Sequence, residues 1–152
     1  MTDPLAGLYQ ELILDHSKKR SGYGALEHSD AERFERNPTC GDEITLQVSM
    51  DPGTDRIASL GWVGSGCSIS QASASVLAEI APGQTMAELQ STIDVFREMM
   101  RSRGAGEPDE DVLGDAIAFH GVSKFVMRVK CAMLGWVAAE GCLNDVKASQ
   151  SA

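Results

Sequence analysis

No apolar run in this chain approaches the ~20 residues that a membrane-spanning helix needs. Aromatic side chains are also scarce, at 5% of 152 residues, so small residues and Met must do much of the packing. Cations are outnumbered, with 13 Lys and Arg against 22 Asp and Glu and a formal net charge of −9. Phosphate contacts need a basic face, so nucleic-acid binding is not expected. No Ser-His-Asp arrangement, phosphate loop or dinucleotide fingerprint occurs. Gly61–Gly66 is glycine-rich but lacks the Lys-Ser/Thr ending of a phosphate loop. The opening Met1-Thr2-Asp3-Pro4 has neither the basic region nor the apolar stretch of a signal peptide, and a cytoplasmic location is expected. His16, His28 and His120 have no partner at ligand spacing, which gives each a surface or capping role.

What remains is ordinary for a globular protein: 43% apolar and 23% charged residues. The length suits one domain with a real core. No repeat or linker divides residues 1–152, with frayed tails expected at 1–4 and 144–152. Two basic clusters interrupt the acidic balance, His16-Ser17-Lys18-Lys19-Arg20 and the segment Lys124–Lys130. The first reads as a solvated helix end, where cations suit the dipole; the alternative is a docking site for a partner.

Local patterns predict an α+β fold, a small antiparallel sheet of about three strands with helices on one face. Leu5, Leu8, Leu12 and Ile13 recur at helical spacing, so a helix is expected over roughly 4–17. Residues 25–37 read as an extended loop with a short strand. Ile44, Leu46 and Val48 alternate with Thr45 and Gln47, and Ile57, Leu60, Trp62 and Val63 follow a Pro52-Gly53 turn; this pair reads as an antiparallel hairpin. A Ser- and Ala-rich helix should run from near Cys67 to Ala81. Another should span Thr85 to about Ser102, with Thr85 and Glu88 forming a capping box. A short helix is expected over Val112–Phe119, and a long one over Lys124–Leu143.

The chain has four cysteines, which in a reducing compartment point to metal binding or thiol chemistry rather than disulfides. Three have marked contexts: Asn37-Pro38-Thr39-Cys40-Gly41-Asp42, Gly64-Ser65-Gly66-Cys67-Ser68 and Arg128-Val129-Lys130-Cys131. Three thiolates with the Asp42 carboxylate would make a tetrahedral zinc set. Cys67 would sit at a helix N-terminus, where unpaired N–H groups and the dipole favour a thiolate. Arg128 shares the helical face of Cys131 and could offset the site's negative charge. The spacing matches no zinc finger or ribbon, and any one of these cysteines could equally be a small core side chain. Cys142 is three turns beyond Cys131, ~16 Å along the helix, so it cannot share a metal with it and reads as packing.

The motifs Asn37-Pro38-Thr39-Cys40-Gly41-Asp42, Gly64-Ser65-Gly66-Cys67-Ser68-Ile69-Ser70 and Arg128-Val129-Lys130-Cys131 resemble those of the SufU family, within the IscU-like iron–sulfur assembly proteins. Leu14-Asp15-His16 and Gly121-Val122-Ser123-Lys124-Phe125 resemble further family segments, and the likeness runs from about Leu8 to Trp136. The long interval between Cys67 and Cys131, and Lys130 where IscU has His, favour SufU over IscU. The resemblance implies zinc held by Cys40, Asp42, Cys67 and Cys131. It implies that Cys40 accepts persulfide sulfur from a SufS-type, PLP-dependent cysteine desulfurase. That partner would lend a ligand that frees Cys40, and the sulfur would pass on to the Suf cluster-assembly machinery. Arg128 matches an Arg linked to the site or to docking. The alternative function within the same resemblance is a scaffold on which an iron–sulfur cluster is built. Ser17 and Arg20 replace the family's Tyr and Pro, and Val126-Met127 replace its Pro-Ala; these changes touch the expected docking edge and the helix start, not the four ligands.

Overall fold

The computed structural model describes residues 4–39 and 41–151, with side chains over 9–39 and 41–150. Three strands, β1 (Ala31–Arg36), β2 (Glu43–Met50) and β3 (Ile57–Ser65), form an antiparallel sheet in the order β1-β2-β3. The expected hairpin is present, with Leu46 opposite Trp62 and Val48 opposite Leu60. Those residues and Ile44 are buried, as alternation with period two requires of a sheet covered on one face. Gly64 lies opposite Ile44, and a Cβ there would fall 2.2 Å from the Glu43 carbonyl oxygen. The free edge of β3 is closed by the loop after the first helix, through Trp62 N–H to Gly22 O (3.0 Å) and Gly24 N–H to Trp62 O (2.8 Å). An edge paired in this way offers no template for a second chain.

Five helices accompany the sheet: α1 (Pro4–Lys19), α2 (Ser68–Ile80), α3 (Met86–Arg101), the short α4 (Glu110–Leu113) and α5 (Val126–Ser151). α5 lies against β1 and β2 and also packs on α2, which in turn carries α1. The Ser/Ala composition of α2 permits this close approach. Ala72, Ser73, Ala74 and Ser75 are wholly buried, and Ser73 Oγ donates to Ala132 O (2.6 Å) while accepting from Trp136 Nε1 (2.8 Å). A serine that both donates and accepts can be buried without an unmet polar atom. Trp136 stacks on Phe96, centroids 3.9 Å apart, and Phe119 meets Phe96 edge-on at 6.0 Å. A few aromatics thus tie α3, α5 and the 114–120 turn into one core.

Two element boundaries differ from the sequence reading. The expected 112–119 helix is instead α4 followed by 3-10 turns over Gly114–His120 and Val122–Lys124, because Asp109 caps an earlier start and Gly114 takes φ +52°. α5 begins at Val126 and continues beyond Leu143 to Ser151. Its last turns are held by the burial of Val146 and by the Arg33–Asp145 ion pair to β1, which local polarity does not reveal. The Thr85–Glu88 capping box is present as expected.

Candidate metal centre

Asp42, Cys67 and Cys131 come from three different elements and meet. One ligand atom from each lies within 4.8 Å of the others. Asp42 and Cys131 are 4% and 1% exposed, and Cys67 is half-buried. Cys40 lies outside the described residues, so its expected part rests on its sequence position, next to Gly41.

The loop before β2 is shaped by Asn37. Its side-chain oxygen accepts from Thr39 N–H (3.1 Å), its carbonyl accepts from Gly41 N–H (2.7 Å), and its own N–H donates to Asp42 O (2.8 Å). This is an Asx turn running into Gly41 at φ +77°, and it turns Asp42 inward at the start of β2. The Asn37 Nδ2 group is buried without a hydrogen-bond partner among the described residues. The Asn-Pro pair was legible as a turn signal, but the organising role of the Asn side chain was not foreseen.

Gly66 ends the β3 edge and Cys67 caps α2 with φ −71°, ψ 168°. Asp42 Oδ1 accepts from Cys67 N–H (3.2 Å), and Oδ2 accepts from the Cys67 thiol (3.4 Å). A Cβ on Gly66 would sit 2.5 Å from Ser70 Oγ and 2.8 Å from Asp42 Cγ, so this glycine is needed for space. Ser70 Oγ donates back to Cys67 O (3.0 Å) and lies 3.9 Å from Cys67 Sγ. Ser70, one helical turn from Cys67, is a site residue that sequence spacing could have flagged. Cys131 reaches the cluster from the second turn of α5, its thiol 3.8 Å from Met127 O.

Sulfur ligands ~2.3 Å from a tetrahedral zinc ion are about 3.8 Å apart, and a sulfur–oxygen pair is slightly closer. The 3.4 Å Cys67–Asp42 separation is compatible with that set. Two thiols and one carboxylate fit zinc with a fourth ligand to be supplied; the thiols suit iron as well. Arg128 is exposed and lines a groove beside α1 rather than the buried cluster. Cys142 is apart, as expected from its offset. Its thiol is wholly buried, faces Leu46 O (3.5 Å), and is pushed up to about 12 by burial and then by Asp145.

A second cluster corrects the reading of His16. It is 2% exposed, not on the surface. Nδ1 lies 2.9 Å from Ser75 Oγ and Nε2 3.1 Å from Asp115 Oδ2, with Glu79 at 3.7 Å. Glu79 also accepts from Ser21 Oγ (2.5 Å) and from Lys19 Nζ (3.0 Å). These contacts fasten α1 to α2 and the 114–120 turn. Arg20, also in the basic run, lies over the Tyr23 ring at 3.6 Å. His28 faces Asp30 (3.3 Å), and His120 faces Ala105 O (3.1 Å).

Comparison with known proteins places these features in a family. The family model for the NifU-like N terminal domain matches residues 8–132. The chain is 40% identical to the zinc-dependent sulfurtransferase SufU of Bacillus subtilis, over 88% of this chain and 87% of that protein. It is 38% identical to the iron–sulfur cluster assembly scaffold protein IscU of Streptococcus pyogenes serotype M1, over 90% and 83%. A crystal structure from Fervidobacterium islandicum AW-1, assigned as a SUF-system iron–sulfur cluster assembly scaffold protein, superimposes with a TM-score of 0.79. It is 38% identical, over 88% of this chain and 94% of that one. The chain therefore belongs to the NifU-like N-terminal domain family, alongside relatives of the IscU and SufU type.

Proposed function

We propose that this chain, an iron–sulfur cluster assembly protein of the IscU/SufU type, is a zinc-dependent sulfurtransferase acting as one unit over residues 1–152 in the cytoplasm. Zinc would be held by Cys40, Asp42, Cys67 and Cys131. The single observation that carries this reading is the convergence of Asp42, Cys67 and Cys131 within 4.8 Å. When bound, zinc keeps its cysteine ligands deprotonated at neutral pH while damping their nucleophilicity. The donor is a persulfide on a SufS-type, PLP-dependent cysteine desulfurase, and the sulfur then passes to the Suf cluster-assembly machinery. The Cys40 thiolate attacks the outer persulfide sulfur, forming a new S–S bond as the donor's S–S bond breaks and its thiolate leaves. No oxidant is consumed. Asp42 fixes the Cys67 end of the site through the two contacts of its carboxylate. Arg128, exposed beside the site on α5, would help to seat the donor.

A cluster scaffold is the second reading, favoured by the scaffold names of relatives such as the Streptococcus pyogenes protein. The sulfurtransferase reading is favoured by Lys130 before the third cysteine and by the length of chain between Cys67 and Cys131, which holds α3 and the acidic stretch 107–111. Desulfurase turnover with excess reductant separates the two. The zinc-loaded protein should stimulate it strongly, while the apo protein and Cys40→Ala should not. Absence of stimulation by the zinc form, with a coloured cluster after anaerobic reconstitution, would overturn the proposal in favour of a scaffold.

A further inference from the structure

Ser70 stands three residues after Cys67 in the first turn of α2 and is 8% exposed. Helical side chains lean towards the N-terminus, so a residue three places on covers the cap residue. The Ser70 oxygen lies 3.0 Å from Cys67 O and 3.9 Å from Cys67 Sγ. It is packed so closely against Gly66 that a Cβ there would fall 2.5 Å from it. Cys67 holds the N-cap position of α2 but makes no cap bond through its side chain. Its sulfur faces the Ser70 hydroxyl and the Asp42 carboxylate instead.

The direction of the Ser70–Cys67 contact depends on whether the sulfur carries a proton. A thiol can donate, to Asp42 Oδ2 at 3.4 Å or to Ser70 Oγ. A sulfur bound to a metal has lost its proton and only accepts. The hydroxyl then becomes the donor of the pair. Its proton turns from Cys67 O to the sulfur by rotation about the Cβ–Oγ bond, and a small rotation of the Cys67 side chain closes the remaining gap. Burial strengthens such a bond, because little water competes for the hydroxyl. Cys131 is placed differently. Its sulfur lies 3.8 Å from Met127 O, and a carbonyl has no proton to give.

We propose that Ser70 is a positioning residue acting through Cys67: its hydroxyl donates to the Cys67 sulfur when that sulfur is a metal ligand, and so makes Cys67 the thiolate that stays on the metal. A hydrogen bond draws electron density from a thiolate sulfur and lowers its nucleophilicity. Sulfur arriving as a persulfide is thereby turned away from Cys67, and the attack is left to another thiolate of the set. The inference rests on the zinc reading above and adds to it the reason that one ligand is spared.

The test uses the full chain in two forms. Loaded with Co²⁺, it shows sulfur-to-metal charge-transfer bands that report the electron density on the ligating sulfurs. Loaded with zinc, it is alkylated by iodoacetamide for timed intervals, and the modified cysteines are mapped by mass spectrometry. In Ser70→Ala the bands should move to lower energy, and Cys67 should be alkylated about tenfold faster than in the parent. Ser70→Thr restores the hydroxyl and should return both readings towards those of the parent. Ser68→Ala, at an exposed position of the same turn, should leave both unchanged. Alanine favours a helix more than serine does, so a retained cooperative Tm separates the lost hydrogen bond from a lost fold. Parental bands and parental alkylation in Ser70→Ala would overturn the proposal alone. So would shifts that Ser70→Thr reproduces, since the effect would then be steric. A parent that holds neither cobalt nor zinc would overturn the zinc reading, and this inference with it.

Discussion

Single atoms decide the candidate centre. Asp42 can approach Cys67 only because position 66 has no side chain. Gly66→Ala puts a methyl group 2.8 Å from Asp42 Cγ. Ser70 can rotate its hydroxyl away, but the carboxylate has to move off Cys67. Changes beside a metal ligand typically cost 10–100-fold in metal affinity, and a loss of about that size is expected here. Competition with a chromogenic chelator measures it. Gly121→Ala, where an added Cβ meets nothing within 4 Å, is the control and should match the parent at the proposed zinc site. Equal affinity in the two variants would show that Asp42 is not a ligand. The steric role of Gly66 depends on Asp42, a residue 24 positions away in sequence that no local pattern places beside it.

The helix starts show two different uses of an N-cap. At α3, Thr85 Oγ1 accepts from Glu88 N–H (3.1 Å), and Glu88 Oε1 accepts from Thr85 N–H (3.1 Å). That reciprocal pair holds the Glu88 carboxyl below its ordinary value. Thr85→Ala should cost ~1 kcal/mol, read as a lower denaturant midpoint with an unchanged slope. α5 forgoes this contribution at Phe125. The capping box was legible because its contacts span three residues. The start of α5 was placed two residues early, at Lys124, because the Val122–Lys124 turn is a 3-10 helix with composition like that of the helix it precedes.

At the scale of the whole molecule, α5 is fastened at points along its length. Arg97 grips Glu140 through Nη2–Oε1 (2.8 Å) and Nη1–Oε2 (3.2 Å), and Arg33 grips Asp145 through two bonds of 2.8 and 3.0 Å. The Arg97 contact holds the Glu140 carboxyl below its usual range, against burial, and Arg33 does the same for Asp145. A carboxyl lowered in the folded state binds protons more weakly there than in the unfolded chain. Its contribution is complete above the ordinary carboxylate value of ~4 and is lost as pH falls through the lowered one. Tm should therefore hold from neutral pH to about pH 5 and drop below about pH 4, and Glu140→Gln should drop less steeply from a lower starting value. A parallel decline in both proteins would show that the Arg97–Glu140 pair contributes nothing to acid sensitivity.

Much of the fold was determined by the sequence alone. The alternation over Ile44–Val48, the Thr85–Glu88 box, the small-residue α2 and the segregation of Cys142 all follow from contacts within a few residues or from helical rise. Tertiary structure decided the rest. Asp42, Cys67 and Cys131 are brought together across intervals of 25 and 64 residues. His16 is buried by Ser75 and Asp115, 59 and 99 residues away. The tail of α5 is kept helical by Arg33, 112 residues before Asp145. A residue's own neighbours set its backbone preference, but its burial and partners depend on how the sheet and helices pack, and that is settled only when the whole core closes.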